Sequence, residues 1–215
     1  MKKQKTLWAA WGLLGAFALW TAVVCLVDVR AIGPNDSAVG LAGMNGFFHR
    51  LTGVHMTLYT LTDWLSLVPL GLAAGFALLG LAQWVIRKSL RKVDCSIFAL
   101  GGFYMVVMVV FLFFEEVVVN YRPVLIEGVL EASYPSSTTM LVLCVMPTAM
   151  MQLGVRIRDR TWRCAVLGAM MAFTAFMVLG RLVSGVHWLS DIIGGALLSG
   201  GLVLLYAAAC GVEQK

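Results

Sequence analysis

Apolar side chains run almost unbroken through six stretches, at about 7–27, 64–86, 97–114, 136–155, 165–183 and 188–210. Each carries few or no charges and is long enough, or nearly so, to cross a hydrocarbon core of roughly 30 Å as a helix. The first follows Lys2, Lys3 and Lys5, as a signal peptide would. Its apolar stretch is too long for one and no small-residue cleavage site follows, so it reads as a retained span. Between the first two runs, 31–62 opens on Gly33-Pro34-Asn35-Asp36 and continues as a mixed polar and apolar segment through His49 and His55. That pattern predicts a turn and then an interfacial helix. Pro69 and Pro147 fall inside spans, where local kinks are expected. The expectation is an all-α integral membrane protein: one domain over 1–215, a six-transmembrane-helix bundle with an interfacial helix between spans one and two.

Composition removes the alternatives. Of the 215 residues, 60% are hydrophobic and 13% charged, against about 45–50% and about 25% in soluble domains. An ordinary soluble enzyme, a disordered tail and a nucleic-acid-binding module are excluded on that ground. The five cysteines are scattered, with no CxxC or Cys/His cluster, so neither a disulfide framework nor a zinc site is indicated.

The net charge of +5 is a topology signal. Twelve of the 16 basic residues fall before span one, between spans two and three, between spans four and five, or at Lys215. The positive-inside rule makes that side cytoplasmic, with both termini there. Arg30, Arg50, Arg122 and Arg181 are left for the other face. A plasma (cytoplasmic) membrane, multi-pass location follows, with no role for nucleic acid.

Polar residues at membrane depth are candidates for function, and here they gather at one end of spans three to six. Glu115-Glu116 closes span three and Arg122-Pro123 follows. Tyr134-Pro135-Ser136-Ser137-Thr138-Thr139 opens span four. Gly180-Arg181 ends span five, and His187 and Asp191 open span six. Singly, each has a bland reading. Arg122 could snorkel to headgroups, Ser136 after Pro135 is an N-cap signature, and the two glutamates could be a solvated helix end. Jointly they describe a phosphate pocket. His187 and Asp191 stand at i and i+4 on one helical face, where a carboxylate can orient and charge an imidazole. Two arginines offer forked donors, and the first turn of span four adds free N–H groups.

The order and spacing resemble the type 2 phosphatidic acid phosphatase family, a branch of the phosphatase/vanadium haloperoxidase superfamily. Its signatures are Lys-x6-Arg-Pro, Pro-Ser-Gly-His and Ser-Arg-x5-His-x3-Asp. Arg122-Pro123, Pro135-Ser136, and Arg181, His187 and Asp191 match them, with the motif core at 97–210. The resemblance implies a metal-independent, cofactor-free lipid phosphatase with its site on the extracytoplasmic side and a phosphorylated lipid, such as a polyprenyl diphosphate or phosphatidate, as substrate. It implies His187 as nucleophile, Asp191 orienting it, and Arg122, Ser136 and Arg181 binding the phosphate. Three positions depart: Glu115 stands for the family's Lys, Ser137-Thr138 for Gly-His, and Gly180 for Ser. The missing histidine is the family's general acid, and Glu115, Ser137 and Thr138 become possible auxiliary residues. A phosphotransferase, a lipid-phosphate binder without turnover, and a metal site built from Glu115, Glu116, His187 and Asp191 stay open as alternatives. Neither the lipid's chain nor the oligomeric state is legible.

Overall fold

The computed structural model describes residues 2–210. Among these residues eight α-helices follow one another: α1 Lys2–Leu26, α2 Ala42–Thr52, α3 Met56–Leu65, α4 Leu67–Arg87, α5 Cys95–Glu116, α6 Ser137–Arg156, α7 Arg160–Val183 and α8 Leu189–Cys210. Among the described residues six stretches are long and apolar enough to span a membrane: α1, α3 with α4, α5, α6, α7 and α8. Their positions agree with the six runs to within a few residues, except that span two is prolonged by α3.

The stretch expected to hold a turn and one helix is more elaborate. Arg30–Ala31 (β1) pairs antiparallel with Ala38–Val39 (β2) around a 3-10 turn at Pro34–Asp36, and two helices follow. The break between α2 and α3 falls at Gly53, whose φ of +69° favours glycine. Neither proline breaks a helix. Pro69 is the third residue of α4, where a missing N–H is one of the orphan donors anyway. Pro147 lies inside α6, which runs through it continuously.

Packing puts α6 and α8 at the centre, where they are the most enclosed spans. A buried cluster that includes Leu100, Phe103, Met140, Val142, Leu198 and Tyr206 joins them to α5. Helix α1 lies along α8 at close range. A Cβ at Gly201 would sit 2.7 Å from the Leu14 side chain and 3.3 Å from the Ala10 carbonyl. The outward side chains of α1, α4 and α5, among them Trp11, Leu78 and Val109, stay exposed as lipid-facing residues do.

Candidate active site

His187 sits in the short connection between α7 and α8, and Asp191 in the first turn of α8. The turn that delivers them depends on Gly185. Its φ is +69°, and a Cβ there would lie 1.9 Å from the Gly53 carbonyl oxygen, so only glycine lets this loop pass so close to the α2–α3 junction. His55 N–H also donates to the Ser184 carbonyl across that approach (2.9 Å). Asp191 is fully buried and its carboxylate is well supplied with donors. Oδ2 accepts from the Trp188 N–H (2.9 Å); Oδ1 accepts from Ser190 Oγ (3.2 Å) and Asn120 Nδ2 (3.3 Å). His187 Nδ1 lies 3.8 Å from Asp191 Oδ2, too far for a hydrogen bond and close enough for charge attraction. Neither ring nitrogen of His187 has a hydrogen-bond partner among the described residues. Burial pushes the imidazole down to about 4; Asp191 works against that shift, while Arg122 and Arg181 add to it.

The two arginines come from different directions and converge. Arg122 hangs from the α5–α6 connection, whose Arg122 N–H donates to the Glu131 carbonyl (3.0 Å) in a small hairpin-like turn. Arg181 comes from the last turn of α7. Their guanidinium carbons lie 5.8 Å and 4.8 Å from the centroid of the Tyr59 ring. Both are buried, at 7% and 1% exposure, and each has a carboxylate nearer the rim. Arg122 Nε is 3.1 Å from Glu131 Oε2, and Arg181 Nη2 is 3.7 Å from Asp63 Oδ1. Those acids do not exhaust the donors: Arg122 Nη1 and Arg181 Nε make no hydrogen bond among the described residues. Buried guanidinium groups with spare donors beside a buried imidazole form a site suited to an oxyanion.

Ser136 is the N-cap of α6, its Oγ accepting from the Thr139 N–H (3.5 Å), and its own N–H donates to the Asp191 carbonyl (3.2 Å). The start of α6 is thereby pinned to the start of α8. Thr138 is buried in the first turn of α6. Glu115 and Glu116 are exposed at the end of α5, and Glu115 shares a small hollow with Ser137, Phe114 and Tyr134. Among the described residues Glu115 forms no ion pair with either arginine, and no three His, Cys, Asp or Glu side chains converge as metal ligands would. Arg122, Ser136, Arg181, His187 and Asp191 thus share one end of the bundle, with Glu115 and Ser137 at its margin.

Sequence reasoning passed over Tyr59, Thr62 and Asp63, which meet Arg181 from α3; Arg181 Nη1 reaches Thr62 Oγ1 at 3.4 Å and the Tyr59 carbonyl at 3.5 Å. The signal was there: three polar-bearing residues at i, i+3 and i+4 mark one face of a helix about to enter the membrane. Asn45 and Asn120, both buried, carried no comparable pattern.

A six-span bundle with paired arginines, a His/Asp couple and a capped helix start at one end defines a class, that of multi-pass membrane proteins with a site suited to an oxyanion. Consistent with this, a model of the PAP2 superfamily matches residues 71–213, and the chain belongs to that superfamily. Among solved structures it is similar to the first transmembrane PAP2-type phosphatidylglycerolphosphate phosphatase from Bacillus subtilis, with 17% identity and a TM-score of 0.57. The likeness covers 97% of this chain and 98% of that one, and shows the shared fold. No curated protein matches the sequence.

Proposed function

We propose that the protein hydrolyses a lipid phosphate or diphosphate through a phosphohistidine, with both termini cytoplasmic and the site at the extracytoplasmic face. The observation that carries the reading is the convergence of Arg122 and Arg181, with unused donors, on the side of a buried His187 that Asp191 backs. In the proposed reaction the arginines and the first-turn N–H groups of α6 hold the phosphoryl oxygens. The His187 Nε2 lone pair attacks phosphorus, the bond to the leaving oxygen breaks, and that oxygen departs with its electron pair. Proton-bearing Nδ1 then faces the Asp191 carboxylate, which offsets the charge gained by the ring. Water next attacks the phosphohistidine, the P–N bond breaks, and phosphate leaves with His187 restored. Ser136, whose Oγ already caps α6, is placed to steady that helix start against the phosphate.

Thr138 supports a second reading. A threonine hydroxyl does not donate a proton to a departing alcohol near neutral pH, and a site lacking that acid is also suited to holding lipid phosphate without turning it over. The same machinery passing phosphate to an acceptor other than water would be a phosphotransferase.

The deciding experiment is turnover of a panel of lipid mono- and diphosphates by purified protein, with His187→Ala as control. Phosphate release that falls by several orders of magnitude in the variant is the expected result. Release unchanged by His187→Ala would end the phosphohistidine mechanism. Vanadate binding without release from any lipid would favour the binder.

A further inference from the structure

Behind Asp191 lies a closed ring of buried hydrogen bonds. Gly40 N–H donates to Asn120 Oδ1 (3.1 Å), and Asn120 Nδ2 donates to Asp191 Oδ1 (3.3 Å). Ser190 Oγ donates to the same Oδ1 (3.2 Å) and accepts from Asn45 Nδ2 (2.9 Å). Asn45 Nδ2 also donates to the Gly40 carbonyl (2.8 Å), which closes the ring, while Asn45 Oδ1 accepts from the Ser190 N–H (3.1 Å). Asn45, Asn120, Ser190 and Asp191 are each at most 1% exposed. Gly40 can stand there only without a side chain, since a Cβ would lie 1.6 Å from the Val24 carbonyl oxygen.

A carboxylate fixed only at Oδ2 by one backbone N–H could still turn about its own axis. Two donors on Oδ1 set its plane, and that plane keeps Oδ2 toward His187 Nδ1. Asn120 stands two residues before Arg122, so the same ring ties the arginine-bearing connection to the His/Asp couple. Gly40 and Asn45 lie outside residues 71–213, the part matched by the superfamily. Two of the ring's five residues are therefore supplied by a segment outside the part matched by the superfamily.

We infer that Asn120 and Asn45 are positioning residues that set the Asp191 carboxylate toward His187, an inference that rests on the phosphohistidine reading. Asn120→Asp isolates the contact. It keeps the volume and the acceptor for the Gly40 N–H, and turns a donor on Asp191 into a facing carboxylate. Phosphate release and vanadate binding are measured for wild type, Asn120→Asp, Asp191→Asn and the double variant.

The expected result is a kcat lowered about tenfold to a hundredfold in Asn120→Asp, the scale of one hydrogen bond to a charged group. KM and vanadate affinity should change by no more than about twofold, because both arginines remain. In the double variant the loss should not exceed that of Asp191→Asn alone, because the two act through one group. A near-normal kcat in Asn120→Asp, or losses that multiply, would overturn the inference while leaving the phosphatase reading intact. If Asn120→Asp no longer binds vanadate, Asn45→Asp decides. It keeps the acceptor for the Ser190 N–H and removes the donors to Gly40 and Ser190. A kcat within about twofold of wild type there overturns the inference; a selective fall in kcat supports it. Wild-type protein that binds vanadate but releases no phosphate removes the reading and the inference together.

Discussion

The guanidinium of Arg181 stacks over Tyr59 at 4.8 Å while one of its nitrogens stands 3.7 Å from Asp63. The ring and the acid belong to one face of α3, so a single helix holds a cation in a buried place without consuming all its donors. The Asp63 side chain is 57% exposed, and an ion pair so open to solvent is worth about 0–1 kcal/mol. An arriving phosphate competes with it. Asp63→Asn should therefore tighten vanadate binding about two- to fivefold at low salt, with the gain shrinking as salt is added. Affinity that is unchanged at low salt would show that Asp63 does not compete for the arginine.

His187 gives the protein a pH signature. Burial pushes the imidazole from the ordinary 6.5 down to about 4, so the ring is a free base, as the proposed nucleophile must be, well into the acid range. The acidic limb of kcat/KM that belongs to the protein should lie near pH 4. Comparing two lipids whose phosphates titrate differently separates that limb from the substrate's. The same shift makes stability depend on pH. Between 6.5 and 4 the unfolded chain takes up a proton that the folded site refuses, so this contribution is fully present above 6.5 and is lost as pH falls toward 4. Thermal unfolding of His187→Gln should lack that slope. A protein limb at 6.5 in wild type would mean a solvated imidazole.

Diphosphate lipids should be better substrates than monophosphate lipids. Cleaving a monoester expels an alkoxide, and a positioned acid is worth roughly 10²–10⁴ in that step. Cleaving a diphosphate expels a phosphate monoester with a second pKa of about 6, which leaves as an anion. Two histidines are the candidates to replace the absent acid, and they differ in place. The His55 ring is exposed, Nε2 lying 2.9 Å from the Thr52 carbonyl. The His49 ring lies 5.4 Å from that of Trp188, and burial holds its pKa below the usual value, so it is mostly neutral at pH 7 and a poor proton donor. The ratio of kcat/KM for a polyprenyl diphosphate over phosphatidate should favour the diphosphate in wild type. Thr138→His should raise the monoester rate selectively. Equal rates that persist after both histidines are removed would defeat the leaving-group argument.

Sidedness is open to direct labelling. In a background without native cysteines, a cysteine at the exposed Val129 should react with an impermeant maleimide from outside intact cells, and one at the exposed Leu90 only after lysis. The warrant is the division of basic residues between the two sets of loops. Reversed labelling would move the site to the cytoplasmic face.

The spans were legible because lipid imposes one rule along the whole chain, namely long apolar runs with every backbone group satisfied inside the helix. His187 and Asp191 were legible because only three residues separate them, although His187 stands in the connection just before α8 and not on the helical face that the spacing suggested. Ser136 was legible because capping is local. The segment from Arg30 to Leu65 was read only coarsely. Its helices turn on a glycine at 53 and on contacts with residues far along the chain, such as His55 with Ser184. Asn45 and Asn120 escaped for the same reason, since amides that meet only in three dimensions leave no period. Glu115 was noticed as a departure in charge, yet its exposed place at the end of α5 depends on where the following connection folds, and the spacing from Arg122 does not reveal it.

The pairing of α1 with α8 bears on how the site comes into being. Trp20 of α1 donates to the Ser190 carbonyl (3.0 Å), Thr21 meets the Tyr134 hydroxyl (2.7 Å), and Gly201 lets the two backbones approach. During synthesis α1 enters the membrane long before α8, and it waits without its partner until α8 arrives. Both arginines precede α8 in the chain, while the Asp191 carboxylate comes with the helix that completes the bundle. Assembly and completion of the site therefore coincide: a chain halted before α8 carries both arginines but lacks the carboxylate of the proposed His/Asp couple.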